Sequence, residues 1–149
     1  MPQAGYSGRP LSAKLGLKPE MTCWRHEMPA QIAELLDREV PGQTLLAAPD
    51  PGLGCAHVFV TRRNDLVHWL GQLRAVLHPD GMIWVSWPKK SSKVPTDVTE
   101  DVIREICLPM GLVDVKVCAV DAVWSGLKLM IRKEFRKDQT DKNANDNLK

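Results

Sequence analysis

The stretch from Cys55 to Trp87 constrains the fold most, because its apolar period changes twice within one continuous segment. Cys55–Thr61 (CAHVFVT) is a continuous apolar run rich in β-branched and aromatic residues, the pattern of a strand covered on both faces. In the residues that follow, Leu66, Leu70, Leu73 and Leu77 recur at i, i+4, i+7 and i+11. That is one stripe of an amphipathic helix, and Thr61 stands where a cap belongs. His78-Pro79-Asp80-Gly81 supplies stop and turn residues, and Met82–Trp87 (MIWVSW) reads as the clearest strand of the chain. Strand, helix, turn and strand form a β-α-β unit, which demands a parallel sheet with a right-handed crossover.

The flanking segments extend the unit. Met21–Arg25 reads as a weak strand, and Pro29 leads into a helix over Ala30–Glu39 in which Ile32, Leu35 and Leu36 share a face. Gln43–Ala48 is a short apolar strand cut off by Pro49-Asp50-Pro51-Gly52. After a loop from Pro88 to Pro95, Thr96 or Asp97 is placed to cap a helix reaching about Met110, with Asp97 and Glu100 spaced as a capping box and Gly111 closing it. Leu112–Val120 and Leu127–Lys133 alternate and predict an antiparallel pair at the sheet edge, with Trp124-Ser125-Gly126 in the connection. Ahead of all this, Ser12–Leu15 predicts a helical turn stopped by Gly16, in an arm that packs through Leu11, Leu15 and Leu17. The expected architecture is a Rossmann-like three-layer α/β sandwich with a mostly parallel sheet and a C-terminal antiparallel hairpin. Its divisions are an N-terminal arm over 1–20, the Rossmann-like domain over 21–136 and a polar, disordered tail over 137–149.

A chain of 149 residues supports one hydrophobic core, and its 44% hydrophobic and 26% charged residues are ordinary for a globular domain. The net charge of +2 lacks the basic excess of a nucleic-acid-binding domain. No apolar run approaches the ~20 residues of a membrane span, and the opening residues lack the apolar core of a signal peptide. The sequence therefore predicts a soluble, cytoplasmic protein with no membrane partner. The 4 cysteines, Cys23, Cys55, Cys107 and Cys118, form no CxxC pair, so no metal site is expected. Reduced thiols are expected instead, with Cys107 and Cys118 packed as small hydrophobes. No G-x-S-x-G elbow supports hydrolase chemistry.

The motifs Gly5-Tyr6-Ser7-Gly8 with Pro10-Leu11, Lys14-Leu15-Gly16, Trp87-Pro88-Lys89-Lys90-Ser91-Ser92, Gly111 to Asp121 (GLVDVKVCAVD) and Trp124-Ser125-Gly126-Leu127-Lys128 resemble a bacterial family of small proteins that carry a domain of unknown function. The resemblance spans nearly the whole chain and is strongest from Gly81 to Lys133. That family is similar to the late half of the S-adenosylmethionine-dependent methyltransferase fold, and the resemblance implies the terminal strands of that fold; it brings no catalytic residues. From Cys23 to Leu36, where a methyltransferase holds its glycine-rich turn, the chain has no glycine, and Arg25, His26 and Glu27 occupy that place. Asp50, the acidic residue available to hold a ribose, lies between two prolines. No cofactor is therefore expected.

Lys89-Lys90-Ser91-Ser92-Lys93 is the leading site candidate because it follows the carboxyl end of a parallel strand, where open α/β sheets bind ligands. Its ammonium and hydroxyl groups suit a phosphate or carboxylate, helped by the helix start near Asp97. Trp84 and Trp87, three apart on one strand, must face opposite ways, Trp84 into the core and Trp87 toward the lysine loop. The expected ligand-binding set is Trp87, Lys89, Lys90, Ser91, Ser92, Lys93, Asp97, Trp124, Ser125 and Lys128. Asp97 and Asp121 are expected to form Lys-Asp ion pairs there; His57 and His68 are read as packing or exposed residues. With no catalytic or metal-binding set recognised, the leading reading is a non-catalytic domain that binds a protein partner or a small anionic ligand through the Trp87–Lys93 loop. The alternatives are a divergent S-adenosylmethionine-dependent methyltransferase-like enzyme and a weak nucleic-acid binder using Arg62-Arg63, Lys89-Lys90-Lys93 and Arg132-Lys133-Arg136-Lys137.

Overall fold

The computed structural model describes residues 9–136; the tail expected over 137–149 lies outside the described residues, as do residues 1–8. In chain order the elements are α1 (Leu11–Leu15), β1 (Thr22–His26), α2 (Ala30–Glu39), β2 (Thr44–Leu45), β3 (Leu53–Phe59), α3 (Arg63–Val76), β4 (Leu77–Pro88), α4 (Glu100–Cys107), β5 (Leu112–Ala119) and β6 (Trp124–Ile131). The sheet runs β2-β1-β3-β4-β6-β5. Its first four strands are parallel, while β6 pairs antiparallel with both β4 and β5. The fold is the Rossmann-like α/β sandwich that the apolar periods predict.

Each face of the sheet has its own apolar layer. Ala56, Val58, Ile83, Val85 and Leu129 meet Leu66, Leu70 and Leu73 of α3 and Ile103 of α4, all fully buried. On the other face Cys23, Cys55, Met82 and Trp84 pack against α1 through Leu11 and Leu15 and against α2 through Ile32 and Leu36. Trp84 and Trp87 fall in opposite layers, as their spacing requires. The Trp84 indole N–H donates to the Leu15 carbonyl at 2.9 Å, so the arm is bolted to the sheet centre at a point where a buried donor needs a partner. Gly16, at φ 71, ends α1 as a left-handed cap.

Several boundaries differ from expectation for identifiable reasons. His78–Gly81, expected as a turn, belongs to β4: Leu77 pairs with Leu53 and Met82 with Cys55, so the extra residues bulge out of a strand that continues. The Asp80 N–H donates to His78 Nδ1 at 3.0 Å, which satisfies a donor inside that bulge. Trp124-Ser125-Gly126 lies inside β6, and the real turn is made by the Asp121 carboxylate, which accepts from the Val123 and Trp124 N–H groups at 2.8 Å each. Of this pair β5 is an edge strand and β6 is interior. The strand expected over Gln43–Ala48 shrinks to Thr44–Leu45, both exposed.

Helix caps are also exchanged. Thr99, not Thr96 or Asp97, caps α4 by accepting from the Val102 N–H at 3.2 Å. Asp97 serves α3 instead, accepting from the Arg63 N–H at 2.6 Å, where Thr61 was expected to cap. The expected Lys-Asp pairs do not form among the described residues, because the Asp97 and Asp121 carboxylates are taken by backbone N–H groups. Cys23, Cys55 and Cys107 are buried and Cys118 is half-buried, all as free thiols. Among the described residues no helix is long and apolar enough to cross a membrane.

Candidate functional site

The carboxyl ends of the parallel strands carry two depressions. The larger, about 770 Å³, lies between the loop that follows β4 and the start of α4. That volume is within the roughly 300–1,000 Å³ of small-molecule sites. Trp87 and Pro88 end the strand and Val98 adds apolar surface, Lys89, Lys90 and Lys93 stand on one side, and Thr99, Glu100, Asp101 and Arg104 on the other.

The loop is held by its own backbone. The Lys89 N–H donates to the Val123 carbonyl at 2.8 Å, and a single 3-10 turn spans Lys90–Ser92. The Ser92 hydroxyl donates to the Lys89 carbonyl at 2.6 Å and accepts from the Val94 N–H at 3.3 Å. Lys93 adopts φ 61, a left-handed conformation that reverses the chain toward Thr96. None of the three lysine side chains has an ion-pair or hydrogen-bond partner among the described residues. Across the groove one guanidinium is shared among three carboxylates. Arg104 bridges Glu100, Asp101 (3.3 Å) and Asp114 (3.0 Å), and Asp114 first, then Glu100, raises the guanidinium pKa further. The groove lining sets Lys89, Lys90, Lys93 and Arg104 against Glu100 and Asp101, and the three lysines are its cations without an ion-pair partner among the described residues.

Of the residues expected to bind, Trp87, Lys89, Lys90 and Lys93 line this groove together. Trp87 is only 8% exposed, so it presents an edge rather than a free ring. Ser91 and Ser92 lie in the loop but not on the groove wall, and Asp97 points to α3. Ser125 sits opposite Trp87 and Lys128 opposite Trp84 on β6, which sets Lys128 in mid-strand. Trp124 belongs to the second depression.

That second crevice, about 470 Å³, opens at the carboxyl ends of β1 and β3. The chain leaves β1 through α2 toward β2 and leaves β3 through α3 toward β4, in opposite directions across the sheet. This is the topological switch point, where doubly wound folds take their ligands. Its lining is His26, Glu27, Phe59, Val60, Thr61, Asp65, Trp69 and Trp124. His26 and Trp69 rings lie 4.7 Å apart, and Phe59 meets Trp124 edge-on at 5.0 Å. Neither Glu27 nor Asp65 has a partner among the described residues, and no lysine or arginine lines the crevice. Glu27 holds φ 55, an uncommon conformation for a residue with a Cβ. The sequence reading passed over this set because it becomes visible only when strand order places the ends of β1 and β3 side by side; the helical pair Asp65 and Trp69 was its one local trace.

Comparison with solved structures agrees with this topology. A SAM-dependent methyltransferase from Aquifex aeolicus superimposes with a TM-score of 0.63 at 16% identity, over 81% of this chain and 87% of that one. The precorrin-6y C5,15-methyltransferase of Geobacter metallireducens gives 0.54 at 10% identity, over 80% and 84%. The magnesium protoporphyrin IX methyltransferase of Synechocystis, with SAM bound, gives 0.53 at 12% identity, over 83% and 74%. No protein-family model and no curated protein matches the chain. The fold is thus the Rossmann-like fold of SAM-dependent methyltransferases.

Proposed function

We propose that this methyltransferase-like protein binds a small anionic ligand, a phosphate or carboxylate compound, in the groove between the Lys89–Lys93 loop and α4. The observation that carries the reading is the trio of lysines without a direct ion-pair partner on one side of a groove of about 770 Å³ beside the carboxyl end of β4. Trp87, Pro88 and Val98 supply apolar surface for the body of such a ligand, while the ammonium groups take its charge.

The residues at the switch point depart at two places from the usual cradle of such a fold. In the dinucleotide-type fold the turn after the first strand is glycine so that backbone can approach the ligand. Here that turn holds Glu27, at φ 55, which lines the crevice. The edge strand β2 ends at Leu45 and the chain continues through Leu46, Ala47 and Ala48, so no carboxylate stands at its end to hold a ribose.

The test is thermal denaturation of the full chain with inorganic phosphate and with phosphorylated and carboxylated metabolites, since a ligand of the folded state raises Tm. The reading expects a saturable rise that the Lys89→Ala/Lys90→Ala double variant loses. An equal rise in that variant, or none in the native chain, overturns it; the second result leaves the same loop as a surface for a protein partner. The likeness of fold supports a second reading, a divergent methyltransferase-like enzyme using the crevice. Saturable heat on calorimetric titration with S-adenosylmethionine would establish it.

A further inference from the structure

Cys23 on β1 and Cys55 on β3 are register partners on adjacent parallel strands. Neighbouring strands lie about 4.7–4.9 Å apart, inside the roughly 4.4–6.8 Å range of Cα separations that disulfides span. Both side chains point to the same face, in the layer covered by α1 and α2, and they are only 4% and 2% exposed. The neighbouring Cys55 side chain, together with the Arg25 charge, holds the Cys23 thiol below its ordinary pKa against the opposing effect of burial, while the Cys55 thiol itself donates to the Ala56 carbonyl at 3.9 Å. Cys55 moves the other way and stays protonated. Both residues line one small cavity of about 10 Å³, bounded also by Arg25, Met28 and His57. A space of that order admits one water-sized molecule.

We propose that Cys23 and Cys55 form a dithiol–disulfide pair that responds to hydrogen peroxide, cross-linking β1 to β3 beneath the switch-point crevice. Cys23 is the attacking sulfur: its thiolate displaces hydroxide from the peroxide and becomes a sulfenic acid. The Cys55 sulfur then attacks the sulfenic sulfur, its proton leaving with the departing hydroxyl as water, and the S–S bond closes. The peroxide is reduced to two molecules of water in all and the two thiols lose one electron each; a small thiol reductant reverses the change. Arg25 steadies the thiolate before attack, although its guanidinium is shared with Asp37 at 3.0 Å. Of the remaining cysteines, Cys107 lies in the opposite layer, and Cys118, which packs against the same layer, stands on β5 with β4 and β6 between it and β3.

The full native chain, treated with hydrogen peroxide, alkylated under denaturing conditions and digested, gives the decisive peptide map. The expected result is a loss of two hydrogens per chain, a fall from 4 titratable thiols by two, and a cross-linked peptide pair holding Cys23 and Cys55 that dithiothreitol separates. A Cys118→Ser variant gives the same map, and Cys55→Ser stops at sulfenic acid on Cys23. Recovery of both residues as free thiols, a different pairing, or further oxidation of Cys23 while Cys55 stays reduced overturns the proposal. The native map decides the matter even where a variant fails to fold.

Discussion

The Thr96 hydroxyl donates to the carbonyl of Thr61 at 2.6 Å and at the same time accepts from the Val98 N–H at 3.0 Å. Thr96 lines the lysine groove and Thr61 lines the crevice, so this one hydroxyl fixes the wall between them. Thr96→Val keeps the shape and removes both bonds. The expected cost is about 1 kcal/mol, the net worth of a partly exposed hydrogen bond with some penalty for the donor left behind, read as a lower urea midpoint at unchanged slope.

Asp97 reaches across the fold to the first turn of α3, where it does what a local cap does elsewhere. Asp97→Ala therefore costs about 0.5–2 kcal/mol, while Thr61→Ala, whose hydroxyl caps nothing, stays within a few tenths. Equal losses in the two variants by chemical denaturation would show that the long-range cap contributes nothing.

His57 is buried beneath α1 and α2 with Nε2 2.7 Å from the Ser86 hydroxyl, and burial first, then the Arg25 charge, lowers its pKa from 6.5 to about 3. The folded protein keeps it neutral, whereas the unfolded chain takes up a proton below pH 6.5. Its contribution to stability is therefore complete above pH 6.5 and is lost as the pH falls toward 3. Between these limits the slope approaches about 1.4 kcal/mol per pH unit. The native chain should lose stability more steeply from pH 6 to pH 4 than His57→Asn, by about 1 kcal/mol per unit in paired urea titrations.

Gly126 is required by close packing: an added Cβ would lie 3.1 Å from Val120 Cγ2 and 3.2 Å from the Trp84 ring. Trp84 cannot retreat without breaking its bond to Leu15. Gly126→Ala is expected to cost about 1–3 kcal/mol, seen as a lower Tm together with a changed tryptophan emission.

Glu27 gives the opposite sign. Its left-handed backbone suits glycine, so Glu27→Gly relieves strain of about 1–2 kcal/mol, offset in part by the freedom gained in the unfolded chain. A Tm equal to or above that of the native chain is expected; a fall of several degrees would mean that the carboxylate has a structural partner.

Much of this molecule is written in local order. The periods of Cys55–Thr61, of the Leu66–Leu73 stripe and of Met82–Trp87 determined a parallel α/β sheet, because each run can bury its apolar face in only one kind of element. The opposite orientation of Trp84 and Trp87 and the left-handed stop at Gly16 followed from backbone geometry alone. The lysine loop was legible as well, since a strand end followed by Lys89, Lys90 and Lys93 needs no distant residue to be noticed. Tertiary structure decided the rest. Asp97 leaves its own helix for α3, Asp121 makes the hairpin turn, and His78–Gly81 bulges within a strand because Leu77 finds Leu53. The crevice at Glu27 and Trp69 and the pairing of Cys23 with Cys55 depend on β1 and β3 becoming neighbours across an intervening helix and edge strand. Strand order joins residues some thirty positions apart, and local periodicity holds no record of which strands will meet.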